Sequence, residues 1–457
     1  MLSLERMVKR WKRLVSPIVL MLLVMVTGTP GVCWAAGDAR PNIIFILTDD
    51  HRWDALSIAG HPMVQTPNLD RLSREGIRFE NAFVTTSLCT PSRASFLTGQ
   101  YAHTHGVQNN LTPWQNDNTT FLELLKKGGY ETAFIGKWHM PGKLPRLRGV
   151  DRFITFTVQA GQGRYFDCPL IVDGKEVPSR KRYITTELTD YALEFIDRPH
   201  DNPFCLYLSH KAAHHQFRPP PQIAGIYKDQ PVPLPPEADT WVSMNPDLLY
   251  CGLLGPLERT YRNYMETLHA TDLEIGRLLD LLDKRGVADD TIVVYFGDNG
   301  FFMGEHRLMD KRWPYEESIR VPAIIRAPRH VTKRGRTAGQ MVLNIDLAPT
   351  LLDLAGLPIP PEMEGRSMVP YLQDENTPGR SAWLYEYFPD FPYRVPGIRA
   401  VRSERYKYIE YQSDRPRELF DLSKDPREMH NLAQTPAGRD RIPALKALLE
   451  TMGGGSQ

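Results

Sequence analysis

Two stretches of similar pattern decide the fold: Asn42-Ile43-Ile44-Phe45-Ile46-Leu47-Thr48-Asp49-Asp50 and Thr291-Ile292-Val293-Val294-Tyr295-Phe296-Gly297-Asp298-Asn299-Gly300. Each is a continuous apolar run rich in β-branched residues, which is typical of a strand buried on both faces. Each run ends at acidic or amide residues. Because ligands of open α/β sheets bind beyond the carboxyl ends of the strands, this placement predicts a functional site at that edge.

Helical patterns alternate with further apolar runs along the chain. Helices are predicted at Phe121–Lys127, 187–196 and Leu257–Arg285, and additional strands at 131–135 and 204–208. This alternation is typical of an α/β architecture. We therefore expect a large, mostly parallel but mixed central sheet flanked by helices.

The pattern changes from about residue 364 onward, where short strand patterns come close together and a helical pattern closes the chain. Together they predict a small C-terminal antiparallel sheet with one helix, packed on the main domain. The chain is accordingly divided into a signal peptide (1–35), a catalytic domain (40–360) and a C-terminal subdomain (361–457). The predicted elements of the subdomain are strands at Ala382–Tyr387, 398–402, Tyr406–Tyr411 and Glu418–Asp421 and a helix at 442–452.

The net charge of this 457-residue chain is close to zero, with 55 Lys and Arg against 54 Asp and Glu. Such a balance argues for neither a nucleic-acid partner nor a membrane partner, and we expect no nucleic-acid partner. An anionic substrate would therefore need basic side chains that are gathered locally.

The N-terminus has the pattern of a signal peptide. Basic residues at 9–13 precede an apolar stretch at 15–26, and Cys33-Trp34-Ala35 offers a small-x-small cleavage site. The apolar stretch is shorter than the ~20 residues of a membrane-spanning helix, and Val32 fits a lipid-attachment motif at Cys33 poorly. We expect an exported protein, periplasmic or extracellular, without stable membrane insertion.

The run Cys89-Thr90-Pro91-Ser92-Arg93-Ala94-Ser95-Phe96-Leu97-Thr98-Gly99 is the most informative motif. A helix starting near Ser92 would place Cys89 at a positively polarised N-terminus, which favours an anion such as sulfate or phosphate. Arg93 can pair with the same anion. The run resembles the first signature of the formylglycine-dependent sulfatases, in which a modifying enzyme oxidises the cysteine to an aldehyde. Cys-x-Pro-x-Arg alone also fits an ordinary Pro-Ser turn, but the match continues through Gly99.

The remaining cysteines are too few for a disulfide framework in an exported chain. If Cys89 is consumed by oxidation, at most one bridge can form among Cys168, Cys205 and Cys251. Cys205 lies in an apolar run and is interpreted as a core residue.

Further motifs of the same family follow in the expected order. Gly136-Lys137-Trp138-His139 resembles the second signature, with Lys137 as a point charge for the anion and His139 as a group that titrates near neutrality. Asp310-Lys311-Arg312 resembles the stretch that carries the family's second active-site lysine, which Lys311 matches. Arg312 is interpreted as part of a charged surface turn.

The family's remaining histidine is less clearly assigned. Sulfatases commonly carry it in Pro-His-x-Pro-Phe, whereas this chain has Ala213-His214-His215-Gln216-Phe217, without either proline. His214 matches best by register, and His215 and His210 remain the alternatives.

The acidic and amide residues after the two defining strands form an all-oxygen set. Ca²⁺ and Mg²⁺ prefer such oxygens. In isolation Asp-Asp after a strand also fits a turn or a helix cap, but here two such clusters follow equivalent strands. By resemblance to the sulfatases the metal is Ca²⁺, with Mg²⁺ as the alternative, and the modified Cys89 contributes one oxygen beside Asp49, Asp50, Asp298 and Asn299.

The resemblance extends from about residue 41 to 431 and implies hydrolysis of a sulfate ester. In this reaction Lys137, Lys311 and Arg93 would hold the sulfate, and a hydroxyl of the hydrated aldehyde would attack sulfur. His214 with Lys311 would protonate the leaving alcohol. His139 would then act as the base that regenerates the aldehyde. It also implies a formylglycine-generating or sulfatase-maturating enzyme as partner.

The substrate is less well defined than the reaction. Residues 84–86 and 101–107 look similar to the glucosamine-6-sulfatase and heparan-sulfatase branch, which suggests a sulfated carbohydrate such as N-acetylglucosamine-6-sulfate. The alternatives are a phosphonate monoester or phosphodiester hydrolase of the same superfamily and a non-catalytic binder of sulfated glycans. The second alternative would be expected to have lost Cys89 or a metal ligand, and this sequence has lost neither.

Overall fold

The protein is described by a computed structural model that covers residues 40–144, 147–180, 182–238 and 256–453. The strands, numbered in chain order, are β1 (Asn42–Thr48), β2 (Ile77–Phe83), β3 (Glu131–Gly136), β4 (Arg152–Thr155), β5 (Leu170–Val172), β6 (Lys175–Val177), β7 (Phe204–Ser209), β8 (Thr291–Gly297), β9 (Phe302–Met303), β10 (Met309–Asp310), β11 (Ala323–Arg326), β12 (Arg336–Leu343), β13 (Ala382–Tyr387), β14 (Ile398–Ser403), β15 (Tyr406–Tyr411) and β16 (Glu418–Asp421). The helices are α1 (Pro67–Glu75), α2 (Cys89–Thr98), α3 (Ala102–His105), α4 (Phe121–Lys127), α5 (Ile184–Asp197), α6 (Leu257–Arg285), α7 (Glu316–Ile319), α8 (Leu347–Leu354), α9 (Val369–Gln373) and α10 (Pro436–Met452).

Ten of these strands form one mixed sheet in the order β12-β2-β11-β8-β1-β7-β3-β4-β5-β6. The central neighbours β8, β1, β7, β3 and β4 are all parallel. The antiparallel pairings involve β11 on one side and β5 and β6 at the far edge. The predicted fold class, a large mostly parallel but mixed sheet flanked by helices, is confirmed.

Helices bury both faces of the sheet, which explains why the central strands are apolar throughout. From β1, Phe45 packs in a cluster with residues of α2, α4 and α8, whereas Ile44 packs on the opposite face with residues of α1, α5 and α6. Alternate side chains of a strand point to opposite faces, so a doubly covered strand has no polar face. The carboxyl ends of the strands are thereby left as the place for polar side chains.

The C-terminal region forms the predicted antiparallel sheet, in the order β13-β14-β15-β16. One face packs on α10 through residues such as Leu384 and Leu449, and the other packs on the main domain through residues such as Trp383 and Tyr385. Helix α10 begins at Pro436, six residues before the predicted start, because Thr435 caps it by accepting from Gly438 N–H. The division of the chain at residue 360 stays a prediction.

A buried charge cluster joins the C-terminal sheet to the main domain, and it gives a stability prediction. Lys407 of β15 is fully buried and contacts Glu316 of α7 at 2.9 Å and Glu428 at 2.7 Å. Lys407→Met would leave both carboxylates without this partner, so we expect it to lower the free energy of unfolding by about 3–5 kcal/mol. Chemical denaturation measures this loss. Lys424→Met, at an exposed position, is the matched control and should leave the free energy of unfolding nearly unchanged.

The predicted signal peptide, with Cys33, lies outside the described residues. Cys251, one of the three cysteines considered for a disulfide bridge, also lies outside them. Among the described cysteines, Cys89, Cys168 and Cys205 are buried free thiols. No helix in the described ranges is long and apolar enough to cross a membrane.

Candidate active site

The four strands that end in the predicted motifs are consecutive neighbours in the sheet, in the order β8-β1-β7-β3. Because they are parallel, their carboxyl ends meet at one edge, and helix α2 brings its first residue to the same place. The structure therefore brings every predicted site residue into one buried cluster: Asp49, Asp50, Cys89, Arg93, Lys137, His139, His214, Asp298, Asn299 and Lys311.

Helix α2 begins at Cys89, not near Ser92 as predicted from the sequence. Leu88 is the extended N-cap residue, and Ser92 N–H donates to Leu88 C=O at 3.0 Å. Cys89 is thus the first residue of the helix, where the positive end of the helix dipole lies. Its Sγ is 2.9 Å from Lys311 Nζ and 3.5 Å from Asp49 Oδ1.

The unmodified thiol of Cys89 is a poor nucleophile in this setting. Burial, together with the carboxylate of Asp49, raises its pKa to about 12 despite the nearby lysines. The thiolate, not the thiol, is the reactive form of cysteine. The geometry therefore argues against a cysteine nucleophile that works as a thiolate near neutral pH.

Three cations and three carboxylates interlock around Cys89. Lys137 Nζ contacts Asp49, and Lys311 Nζ contacts Asp50. Arg93 Nη2 lies 2.7 Å from Asp298 Oδ2 and 3.3 Å from Asp49 Oδ2. Buried charges of opposite sign must be paired in this way, because an isolated buried charge is strongly destabilising.

The three carboxylates differ in how well the neighbouring cations compensate their negative charge and their burial. Burial raises the pKa of Asp49, but Lys137, Arg93 and Lys311 outweigh burial and hold it well below its usual range. The pKa of Asp50 rises to about 7 because burial and the neighbouring carboxylates outweigh Lys311. Burial and Asp49 likewise raise the pKa of Asp298. Three carboxylates thus face three cations, but burial leaves Asp50 and Asp298 less well compensated than Asp49.

Two buried oxygens in this set have no hydrogen-bond partner, namely Asp50 Oδ2 and Asn299 Oδ1. The Asn299 amide is oriented by Nδ2, which donates to Asp50 Oδ1 at 2.7 Å. Carboxylate oxygens of Asp49, Asp50 and Asp298 lie within 4.8 Å of one another. Unpartnered buried oxygens beside a compact carboxylate group fit a hard divalent cation, whose ligands are oxygens.

Both predicted histidines are buried and neutral at physiological pH. Burial, and then the charge of Lys137, lowers the pKa of His139 and of His214 well below the usual value. A ring nitrogen of His214 lies within 4.8 Å of both Cys89 Sγ and an Asp49 oxygen, and His214 Nδ1 has no hydrogen-bond partner. The ring of His214 therefore lies beside Cys89 and Asp49.

The two alternative histidines do not share this position. His210 is fully buried, and its low pKa of about 3 results from burial alone, without a contribution from any charged group of the cluster. His215 is partly exposed and interacts with Asp310 rather than with the carboxylates that surround Cys89. Of the three histidines, His214 is the one placed beside Cys89.

Several residues in contact with the cluster were not predicted from the sequence. Arg93 Nη1 donates to Ser209 Oγ at 2.6 Å, and Ser92 Oγ donates to Asp298 C=O at 2.5 Å. Gln162 accepts from Lys137 Nζ at 2.5 Å. Of these three residues, Ser92 and Ser209 had a sequence signal, because they lie inside or directly before a motif, whereas Gln162 had none.

Arg312 is buried beneath the ring of Tyr393, 3.3 Å from its centroid, so the interpretation as a charged surface turn is wrong.

A buried histidine behind helix α2 gives a pH prediction. His105 Nδ1 accepts from Val107 N–H at 3.0 Å, and its Nε2 lies 3.1 Å from Ser95 Oγ of α2. Burial lowers the pKa of His105 to about 3. Because this folded-state pKa lies below the unfolded value of about 6.5, stability is complete above pH 6.5 and falls as the pH drops from 6.5 towards 3.

His105→Gln isolates this contribution: its free energy of unfolding should lack the pH-dependent loss, which amounts to about 3 kcal/mol between pH 6.5 and pH 4. Denaturation of both proteins from pH 7 to pH 4 measures the difference. His430→Gln, at a largely exposed position, is the control, and identical pH curves for wild type and His105→Gln would contradict the prediction.

The fold and this cluster together define a hydrolase of anionic esters on an α/β scaffold. A sequence model of the family described as Sulfatase matches residues 41–357, and one described as N-sulphoglucosamine sulphohydrolase, C-terminal, matches residues 304–453. The chain belongs to the sulfatase family, and the family membership and sulfatase activity predicted from the motifs are confirmed.

Individual relatives agree with this placement. An N-acetylglucosamine-6-O-sulfatase of Bacteroides thetaiotaomicron is 35% identical and the match covers 90% of this chain and 86% of the relative. An ulvan-active sulfatase of Formosa agariphila is 31% identical, over 87% of this chain and 78% of the relative. A solved complex with D-glucosamine-2-N,6-O-disulfate, described as its substrate, superposes with a TM-score of 0.83 at 34% identity, over 90% of this chain and 97% of that one.

Proposed function

We propose that this sulfatase removes sulfate from a sulfated carbohydrate of the glycosaminoglycan type or a related glycan, with N-acetylglucosamine-6-sulfate as the specific substrate. The main support for this reaction is the position of Cys89, which is the first residue of its helix. Its Sγ lies 2.9 Å from Lys311 Nζ and 3.5 Å from Asp49 Oδ1, within the buried cluster of charged groups. The sugar is supported by the relatives, which include an N-acetylglucosamine-6-O-sulfatase.

The proposal includes formylglycine at position 89 and Ca²⁺, with Mg²⁺ as the alternative, held by Asp49, Asp50, Asp298, Asn299 and an oxygen of the modified residue. The buried thiol, whose pKa is about 12, and the two unpartnered oxygens support both groups. Sγ of Cys89 occupies the place of the modified side chain. When present, the hydrated aldehyde supplies a hydroxyl nucleophile and the cation polarises the sulfate.

The protein's own side chains bind the sulfate and handle protons. Lys137, Arg93 and Lys311 surround the reacting position, and they stabilise negative charge on the sulfate oxygens as it develops. Burial lowers the pKa of Lys311, but Asp50 and Cys89 outweigh burial and hold it well above the usual value, so this side chain stays a protonated ammonium group. The neutral ring of His214 gives its N–H proton to the departing alcohol oxygen, and Lys311 replaces that proton on the ring.

His139 is the second proton-handling group. Its backbone is fixed by Thr90 Oγ1–H, which donates to His139 C=O at 2.7 Å and so ties the histidine to the residue after Cys89. Because its pKa is held well below the usual value, the ring is neutral and accepts a proton from the hydroxyl group at position 89. The two histidines thus act at opposite steps of the reaction.

A side-by-side assay tests this function. Protein from a host that carries out the cysteine modification is given Ca²⁺ and equal concentrations of N-acetylglucosamine-6-sulfate, an aryl sulfate, a phosphonate monoester and a phosphodiester. We expect the highest kcat/KM on the sugar sulfate. A preference for the phosphonate monoester or the phosphodiester would replace the proposal by the alternative hydrolase, and binding of sulfated glycans without release of sulfate would replace it by a non-catalytic binder.

Two further parts of the proposal concern maturation and location. We propose that a formylglycine-generating or sulfatase-maturating enzyme acts on Cys89, and that residues 1–35 direct export to the periplasm or the extracellular space. The basic and apolar segments of the N-terminus support export. N-terminal sequencing of the secreted protein tests it, with a mature start just after residue 35 as the expected result.

A further inference from the structure

The segment after β4, residues 157–165, lies against three of the proposed active-site residues, and the mechanism above does not use it. Gln162 Oε1 accepts from Lys137 Nζ at 2.5 Å. A Cβ on Gly161 would lie 3.3 Å from His139 Cα, so this glycine packs directly on that histidine. Tyr165 OH donates to His214 C=O at 2.7 Å. One segment therefore contacts both proton-handling histidines and the anion-binding lysine.

The backbone of this segment is held in conformations that L residues rarely adopt. Gln159, Ala160 and Gly161 have φ values of 53°, 54° and 84°. The turn is closed by Gly161 N–H, which donates to Thr157 C=O, and by Gln162 N–H, which donates to Gln159 C=O, each at 3.0 Å. Such backbone strain persists only where the surroundings impose it, and it concentrates at functional sites.

We propose that Gln162 is a positioning residue for Lys137: it orients the ammonium group so that one N–H faces the sulfate. A lysine ammonium has three donors. Asp49 takes one and Gln162 takes a second, which leaves the third for the anion. This inference rests on the proposed function, because it assumes that Lys137 binds the sulfate group.

The neutral amide of Gln162 matters as much as its position. Lys137 is fully buried and already contacts one carboxylate, that of Asp49. A second carboxylate at position 162 would offset the remaining positive charge and weaken the attraction for an anion. An amide oxygen instead orients the ammonium group without adding charge. Because a lysine ammonium group only donates hydrogen bonds, the amide oxygen of Gln162 must be the atom that faces Lys137.

Three variants separate this role from packing. Gln162→Met keeps the side-chain length but has no amide acceptor, and Gln162→Glu keeps the shape but adds a charge. Gln159→Met, on the same turn at an exposed position, is the matched control. All three are made in the full, modified protein and compared by kcat/KM on a sulfate ester, by melting temperature, and by the rise in melting temperature that inorganic sulfate causes.

We expect kcat/KM of Gln162→Met to fall about 10- to 100-fold, the effect of losing a hydrogen bond to a charged group, with an unchanged melting temperature. Gln162→Glu should in addition lose most of the stabilisation by inorganic sulfate. Wild-type activity of Gln162→Met, an equal loss in Gln159→Met, or undiminished stabilisation of Gln162→Glu by sulfate would each overturn the inference.

The failure of this inference and that of the proposed function give different results. If Cys89→Ala is as active as the parent protein, the proposed function fails, whatever the Gln162 variants do. If Cys89→Ala is inactive while Gln162→Met matches the wild type, the sulfatase function stands and only the role of Gln162 is wrong.

Discussion

Cys89→Ala is expected to reduce turnover of the sulfate ester by about 10⁴-fold or more, the loss seen when a catalytic nucleophile is removed. The side chain is fully buried between Asp49 and Lys311, so alanine removes the reacting atom without disturbing an exposed surface. Steady-state assays with Ca²⁺, together with the mass of the peptide that spans residue 89, measure the two parts of this expectation. In the wild-type protein the peptide should be lighter than the cysteine form by the difference between a thiol and an aldehyde.

Cys89→Ser separates the modified nucleophile from an ordinary hydroxyl. Serine offers one hydroxyl, which can accept the sulfate group but leaves no second hydroxyl to expel it. We expect at most one equivalent of alcohol released per enzyme, followed by no turnover, and rapid-quench measurements of the released alcohol detect this burst.

The matched control is Cys205→Ala, at an equally buried cysteine in β7 that belongs to the hydrophobic core. It should lower the free energy of unfolding by about 1 kcal/mol and retain activity. An unmodified thiol at residue 89 in protein from a competent host, combined with full activity of Cys89→Ala, would contradict the formylglycine mechanism.

The fold was predictable because the strands that carry the motifs are buried on both faces. Doubly covered strands such as β1 and β8 must be apolar throughout, so they stand out from the sequence and end sharply at polar residues. What the sequence could not supply is their order in the sheet. The structure shows β8, β1, β7 and β3 side by side, and this long-range pairing is what turns four separate motifs into one site.

The details of the site depended on contacts that no local pattern encodes. Helix α2 begins three residues earlier than predicted because Leu88, an apolar residue, takes the N-cap position without a side-chain hydrogen bond. The sequence indicates His214 by register alone, and its approach to Cys89 distinguishes it from His215. Gln162 carries no sequence signal, because it lies in a turn with no family motif, 25 positions after the lysine that it contacts.

The second large effect concerns the metal. Asp50→Asn is expected to reduce activity about 100-fold or more, because it removes a charged ligand from the proposed cation site and so weakens polarisation of the sulfate. Chelation of the wild-type protein should give a comparable loss that Ca²⁺ reverses. Because Asp50 Oδ2 is buried and without a partner, the wild-type side chain has a free ligand atom for the cation.

Thermal unfolding tests the same point without turnover. A ligand that binds only the folded state stabilises it by RT ln(1 + [L]/Kd), or about 4 kcal/mol when Ca²⁺ exceeds its Kd a thousandfold. Ca²⁺ should therefore raise the melting temperature of the wild-type protein, and this rise should be largely lost in Asp50→Asn.

The control for the metal prediction is Asp272→Asn, which alters a buried aspartate with other hydrogen-bond partners. Asp272 lies on α6 and accepts from the backbone N–H groups of Asn68 and Leu69 at the start of α1. This variant should melt at a lower temperature with or without the metal, yet keep the full rise on adding Ca²⁺. If Ca²⁺ stabilises Asp50→Asn as much as the wild type, the cation does not bind at this carboxylate, and the two unpartnered oxygens of Asp50 and Asn299 would need another explanation.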